Sequence, residues 1–92
     1  MTLINYHFIW IPVRRKALLV GAVGERARAL IEAQVDALDC HLLALEVMPA
    51  HVHLFLNAPS KIAPDQIMYR IKGQSSRVLR QEFPHLLKLP SL

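Results

Sequence analysis

The chain has 92 residues, one cysteine and eleven Lys or Arg against seven Asp or Glu, a formal net charge of +4 at pH 7. A chain of that length holds one small domain, burying about 60–65% of its unfolded surface; it has no apolar run long enough to span a bilayer, and Met1 to Val13 lacks the uniform apolar stretch of a leader. A membrane or exported class is therefore not expected, the lone Cys40 fits a reduced, cytoplasmic setting, and the modest positive excess permits an anionic partner.

Ile4 to Ile11, dense in β-branched and aromatic residues, predicts a first strand that Pro12 ends. Arg14, Arg15 and Lys16 then form a short basic loop. From about Gly24 to Leu38 the apolar spacing becomes helical, with Val23, Ala27, Leu30, Ile31, Gln34 and Leu38 at intervals of three and four. His41 to Met48 predicts a second strand, Pro49-Ala50 a hairpin turn, and His51 to Asn57 a third strand, followed by a loop at Ala58-Pro59-Ser60-Lys61. Pro64 suits the first turn of a second helix and Asp65 its positive end. That helix runs to about Glu82 with Ile67, Met68, Ile71, Val78 and Leu79 as its apolar stripe and Ser75 among them. The order strand, helix, strand, strand, helix predicts an α+β, ferredoxin-like split βαβ sandwich. A fourth strand would complete it. His85 to Leu92 is short and broken by Pro90, so one sheet edge is expected to be unpaired.

In Met48-Pro49-Ala50-His51-Val52-His53-Leu54-Phe55-Leu56 the side chains alternate faces when the chain is extended. Val52, Leu54 and Leu56 point one way, His51 and His53 the other. A two-residue turn at Pro49-Ala50 places Met48 opposite His51 and Glu46 opposite His53, and sends Val47, Leu45 and Leu43 under the helices. Glu46 is then either a third metal ligand or a residue that orients His53. Two imidazoles with at most one carboxylate leave positions open on a divalent ion. Such a site can polarise a phosphate oxygen, and it is poorly suited to structural zinc, which wants four closed ligands.

On the second helix Lys72, Ser76 and Arg80 recur every four residues, with Arg70 and Arg77 on the adjacent flank and Gly73 between them. Lys, Arg and Ser side chains suit phosphate oxygens. A mid-helix glycine costs about 1 kcal/mol relative to alanine and lets a partner approach the helix closely. Arg14, Arg15 and Lys16 add a second basic edge.

Several stretches together resemble the single-tyrosine HUH transposases of IS200-like insertion sequences. They are Tyr6-His7-Phe8-Ile9-Trp10-Ile11-Pro12, Arg14-Arg15-Lys16, Glu46-Val47-Met48-Pro49, His51-Val52-His53-Leu54, Lys72-Gly73-Gln74-Ser75-Ser76-Arg77 and Glu82-Phe83-Pro84. The resemblance covers nearly the whole chain in order. It implies a dimeric ferredoxin-like domain that cuts and rejoins single-stranded DNA, recognising hairpins at insertion-sequence ends. It makes His51 and His53 ligands of Mg or Mn, and it places Lys72, Ser75, Ser76 and Arg77 near the DNA. In the family a tyrosine on a C-terminal helix attacks the phosphate and becomes covalently joined to the strand, and that helix usually adds a further metal ligand.

The sequence departs from the pattern in three places. The tryptophan, fourth strand and tyrosine helix that follow in the family are absent, so residues 1–92 read as a single truncated domain without the family nucleophile, and turnover is not expected. Tyr6 and Tyr69 are the two tyrosines; Tyr6 reads as a packed strand residue, Tyr69 as the substitute nucleophile to consider. Ala50 replaces a usual Asp, and Val13 a usual Lys-Tyr pair. A second expectation is a non-catalytic module that binds structured single-stranded DNA or RNA through the same sheet and basic helix. A histidine phosphoesterase would want a third histidine at position 55, which is Phe, or a second His-x-Ser/Thr repeat, which is missing.

Overall fold

The computed structural model describes residues 3–11 and 19–85. The basic loop of Arg14, Arg15 and Lys16, and the tail beyond His85, lie outside the described residues. Within them run β1 (Leu3–Trp10), α1 (Gly21–Ala37), β2 (His41–Met48), β3 (His51–Pro59) and α2 (Pro64–Glu82). The sheet order is β1-β3-β2, with β3 antiparallel to both neighbours. β1 and β2 are therefore parallel to one another with β3 between them, the split βαβ of a ferredoxin-like sandwich.

One face of the sheet carries the core. Val52, Leu54, Leu56 and Ala58 of β3 and Leu45 of β2 pack against Val23, Ala27, Ile31 and Val35 of α1 and Ile67, Ile71 and Leu79 of α2. Tyr6, Phe8 and Trp10 close its β1 side, with the Tyr6 and Phe8 rings stacked at 5.6 Å. The alternation expected of β3 is thus present, and both helices lie on the Val52 side. On α1 the inward position expected of Gln34 belongs to Val35 instead. The stripe follows the i, i+4 row from Val23 through Ala27 and Ile31, which leads to residue 35.

Local chemistry sets the boundaries. α1 starts three residues before Gly24, after Val20, an extended cap residue without a capping side chain. Gly24 is needed where it stands: a Cβ there would lie 2.7 Å from the Leu19 carbonyl oxygen. Leu19 N–H in turn donates to the Pro49 carbonyl at 3.1 Å, tying the approach to α1 onto the β2–β3 turn. α1 ends with Asp39 in the left-handed region (φ 58°) while Cys40 N–H reaches back to the Val35 carbonyl, an arrangement that satisfies the last carbonyls of a helix. α2 has Pro64 at its start, Asp65 in its first turn and Arg80 in its last, matching charge to the helix dipole. β3 runs through Ala58 and Pro59, which read as loop in the sequence, because Ala58 and Pro59 pair with Ile4 and Leu3. A proline closing a strand loses no interior ladder bond.

One expected inward residue is displaced. The β2–β3 ladder holds the register Met48↔His51, Glu46↔His53, Val47↔Val52 and Leu45↔Leu54, then slips between Leu42 and Ala44. Leu43 is the extra residue of this bulge and is 50% exposed, outside the core.

Candidate functional site

The face of the sheet away from the helices carries His51, His53, Phe55 and Asn57 on β3, Asn5, His7 and Ile9 on β1, and Glu46 and Met48 on β2. His51 and His53 stand side by side with ring centroids 4.9 Å apart and planes tilted by 61°. Metal–nitrogen bonds of about 2.1 Å put two imidazoles at right angles on one ion with centroids roughly 4.5–5 Å apart. The spacing of the pair therefore suits a shared divalent cation. Among the described residues no three His, Cys, Asp or Glu side chains converge to hold a metal. Glu46 lies across the ladder from His53.

His7 lies on this face too, within the first-strand stretch quoted above but given no role from the sequence. Its ring lies 5.8 Å from that of His53 and 5.8 Å, edge-on, from Phe55. Strand alternation could have found it, since Tyr6, Phe8 and Trp10 pack inward and leave His7 and Ile9 on the histidine face.

The second helix presents a separate surface. Its buried row is Ile67, Ile71, Ser75 and Leu79. Ser75 is 6% exposed and its Oγ has no hydrogen-bond partner, so the expectation that it meets DNA is corrected: i, i+4 spacing from Ile71 turns it into the core. Lys72, Ser76 and Arg80 are half-buried along one flank, and Arg70 and Arg77 are exposed on the other. Arg70 and Arg77 line a groove of about 980 Å³ with Leu38, Ile62, Tyr69 and Gly73. Arg77 donates to Gln74 Oε1, and a Cβ added at Gly73 would meet nothing within 4 Å.

Tyr69, 81% exposed, belongs to this groove. α2 packs on the Val52 face, so Tyr69 and the helix cations stand on the opposite side of the sheet from His51 and His53. A role for Tyr69 as nucleophile at that pair in the same chain is ruled out by the intervening layer. Tyr6 is half-buried against the core.

Other polar contacts are structural. Arg26 of α1 makes a two-pronged ion pair with Glu82 at 2.8 and 2.9 Å, and Arg28 donates to the Leu45 carbonyl at 2.6 Å. Burial and then the nearby Asp39 push the Cys40 thiol above its usual range, the setting of an inert thiol.

Residues 1–91 match the family model described as Transposase IS200 like. The chain belongs to that family. It is 31% identical over 83 residues to the ISDra2 transposase TnpA of Deinococcus radiodurans, covering 90% of this chain and 59% of that protein. It is also 31% identical over 86 residues to the transposase for insertion sequence element IS200 of Salmonella typhimurium, covering 89% of this chain and 54% of that protein. The family member described here therefore spans just over half the length of these relatives. Its fold superposes with a TM-score of 0.90 and 33% identity on the crystal structure of a protein described as a transposase from Deinococcus radiodurans R1, covering 98% of this chain and 68% of that one. Among the described residues no helix is long and apolar enough to cross a membrane.

Proposed function

We propose that these residues form the DNA-gripping part of an HUH transposase, acting in the cytoplasm on single-stranded DNA that carries hairpins at insertion-sequence ends. The observation that carries the reading is the His51–His53 pair, placed by strand alternation on the open sheet face of a transposase-family chain. His51 and His53 would hold Mg²⁺ or Mn²⁺, with Glu46 as a third ligand or as the group that orients His53. The ion would polarise the phosphate to be cut. Phosphate contacts then come from Arg70, Lys72, Ser76, Arg77 and Arg80, with Arg14, Arg15 and Lys16 as a further basic edge. The groove lined by Tyr69, Arg70 and Arg77 suits a hairpin or its unpaired base, because an exposed ring and two guanidiniums on one surface offer stacking and phosphate binding together. A homodimer fits the same reading, since β1 is paired on its β3 side alone among the described strands.

The alternative, a non-catalytic module for structured single strands, is favoured by one observation. The two tyrosines are a core-packed residue and a residue on the far side of the sheet. Both readings are tested by incubating the 92-residue chain with a hairpin-bearing strand and Mn²⁺. The expected result is Mn²⁺-dependent binding that His51→Ala removes, with no covalent protein–DNA band. A band abolished by Tyr69→Phe would overturn the assignment of Tyr69; absence of metal-dependent binding would overturn the transposase reading of the site.

A further inference from the structure

The open face carries a lane of polar groups longer than the histidine pair. Ring contacts run from His51 to His53 at 4.9 Å and from His53 to His7 at 5.8 Å. The next positions along β1 and β3 are Asn5 and Asn57, joined by a 2.8 Å hydrogen bond from Asn57 Nδ2 to Asn5 Oδ1. Apolar Ile9, Met48 and Phe55 flank this lane on the same face. His7 is exposed and forms no hydrogen bond with another described residue, so its ring N–H is available to an outside acceptor. The ring contacts reach His53 but not His51, and no three-residue metal cluster forms among the described residues. His7 is therefore poorly placed to share one ion with the pair. Its 5.8 Å separation from His53 exceeds the axial rise of about 3.4 Å per nucleotide in a stacked strand and so suits the next phosphate of a stretched one.

We propose that His7 is a strand-binding residue: its imidazole N–H donates to the phosphate next to the one held at His51 and His53, and it sets the path of the single strand along β1. The inference rests on the reading of the histidine pair as a metal-dependent DNA site. It assigns His7 a donor role rather than a ligand or stacking role.

Four variants separate these roles, each measured for binding of a fluorescein-labelled hairpin strand with a single-stranded flank in Mn²⁺, and for Mn²⁺ broadening of the His51 and His53 ring resonances. His7→Ala and His7→Phe are expected to weaken binding about ten-fold, the scale of one charge-assisted hydrogen bond, with Mn²⁺ broadening unchanged. His7→Gln, which keeps an N–H donor, is expected to retain most of the affinity. His85→Ala, beyond the end of α2, serves as the neutral control. Wild-type affinity in His7→Ala or His7→Phe overturns the proposal, and so does loss of broadening in His7→Ala, which would make His7 a ligand. If the unsubstituted chain takes up no strand at all, the metal-site reading falls and this proposal with it.

Discussion

Side chains on adjacent residues meet opposite fates in this molecule. Val52 is in the core while His51 and His53 sit on the open face, a division that follows from the two-residue period of an extended chain. Because the imidazoles are not part of the core, His51→Ala and His53→Ala are expected to remove Mn²⁺ binding in calorimetry while changing the unfolding free energy in urea by no more than a surface substitution does, about 0.5 kcal/mol. Ser75 gives the opposite case. Its buried, unpartnered hydroxyl costs free energy in the fold. Ser75→Ala should raise stability by about 1 kcal/mol in urea unfolding and leave DNA binding unchanged. A drop in DNA affinity for that variant would return Ser75 to the DNA surface, against its placement here.

At the scale of elements, α2 trades helix propensity for an open groove. No described atom lies within 4 Å of a Cβ at Gly73, so the fold itself does not require glycine there. Gly73→Ala should stabilise the helix by about 1 kcal/mol by removing the entropic penalty of glycine. The same methyl enters the groove beside Tyr69, Arg70 and Arg77, so hairpin binding is expected to weaken as stability rises. Parallel measurement of urea midpoint and DNA affinity checks both halves. The two helices are tied at their outer surface by Arg26 and Glu82. The hydrogen bond from Arg26 holds the Glu82 carboxyl below its usual value near 4.5. A carboxyl depressed in the folded state stabilises the fold above its unfolded value and loses that contribution as pH falls through the folded one. The stability gap between the parent chain and Glu82→Gln should therefore be open at neutral pH and close under acid. Both groups are exposed, so the gap is small and shrinks in salt.

At the scale of the whole molecule, what the sequence made legible was what depends on short-range periodicity. The strand and helix order, the hairpin register that puts Glu46 opposite His53, and the inward set Val52, Leu54 and Leu56 all follow from alternation and from a two-residue turn. What it hid depends on neighbours distant in the chain. The bulge that expels Leu43 arises in the pairing of β2 with β3, and the extension of β3 through Pro59 needs Leu3 as partner. The side of the sheet on which the basic helix lies was hidden as well: the layering puts its cations and the histidines on opposite sides, because the α2 stripe packs on the Val52 face.

That layering leaves β1 as an edge whose outer side has no partner among the described strands, and it leaves Leu3 and Ile9 exposed on the histidine face. An unpaired strand bearing apolar side chains is a template for pairing with another chain. If two copies join there, sedimentation should show a concentration-dependent dimer, and amide exchange along β1 should slow as concentration rises. A lysine on an edge strand opposes such pairing, so Leu3→Lys is expected to shift the equilibrium to monomer. Leu3 pairs with Pro59 at the far end of the ladder from His51 and His53, so Mn²⁺ binding should persist in that monomer. A dimer of unchanged strength in Leu3→Lys would move the contact away from β1, to a surface such as the α2 groove.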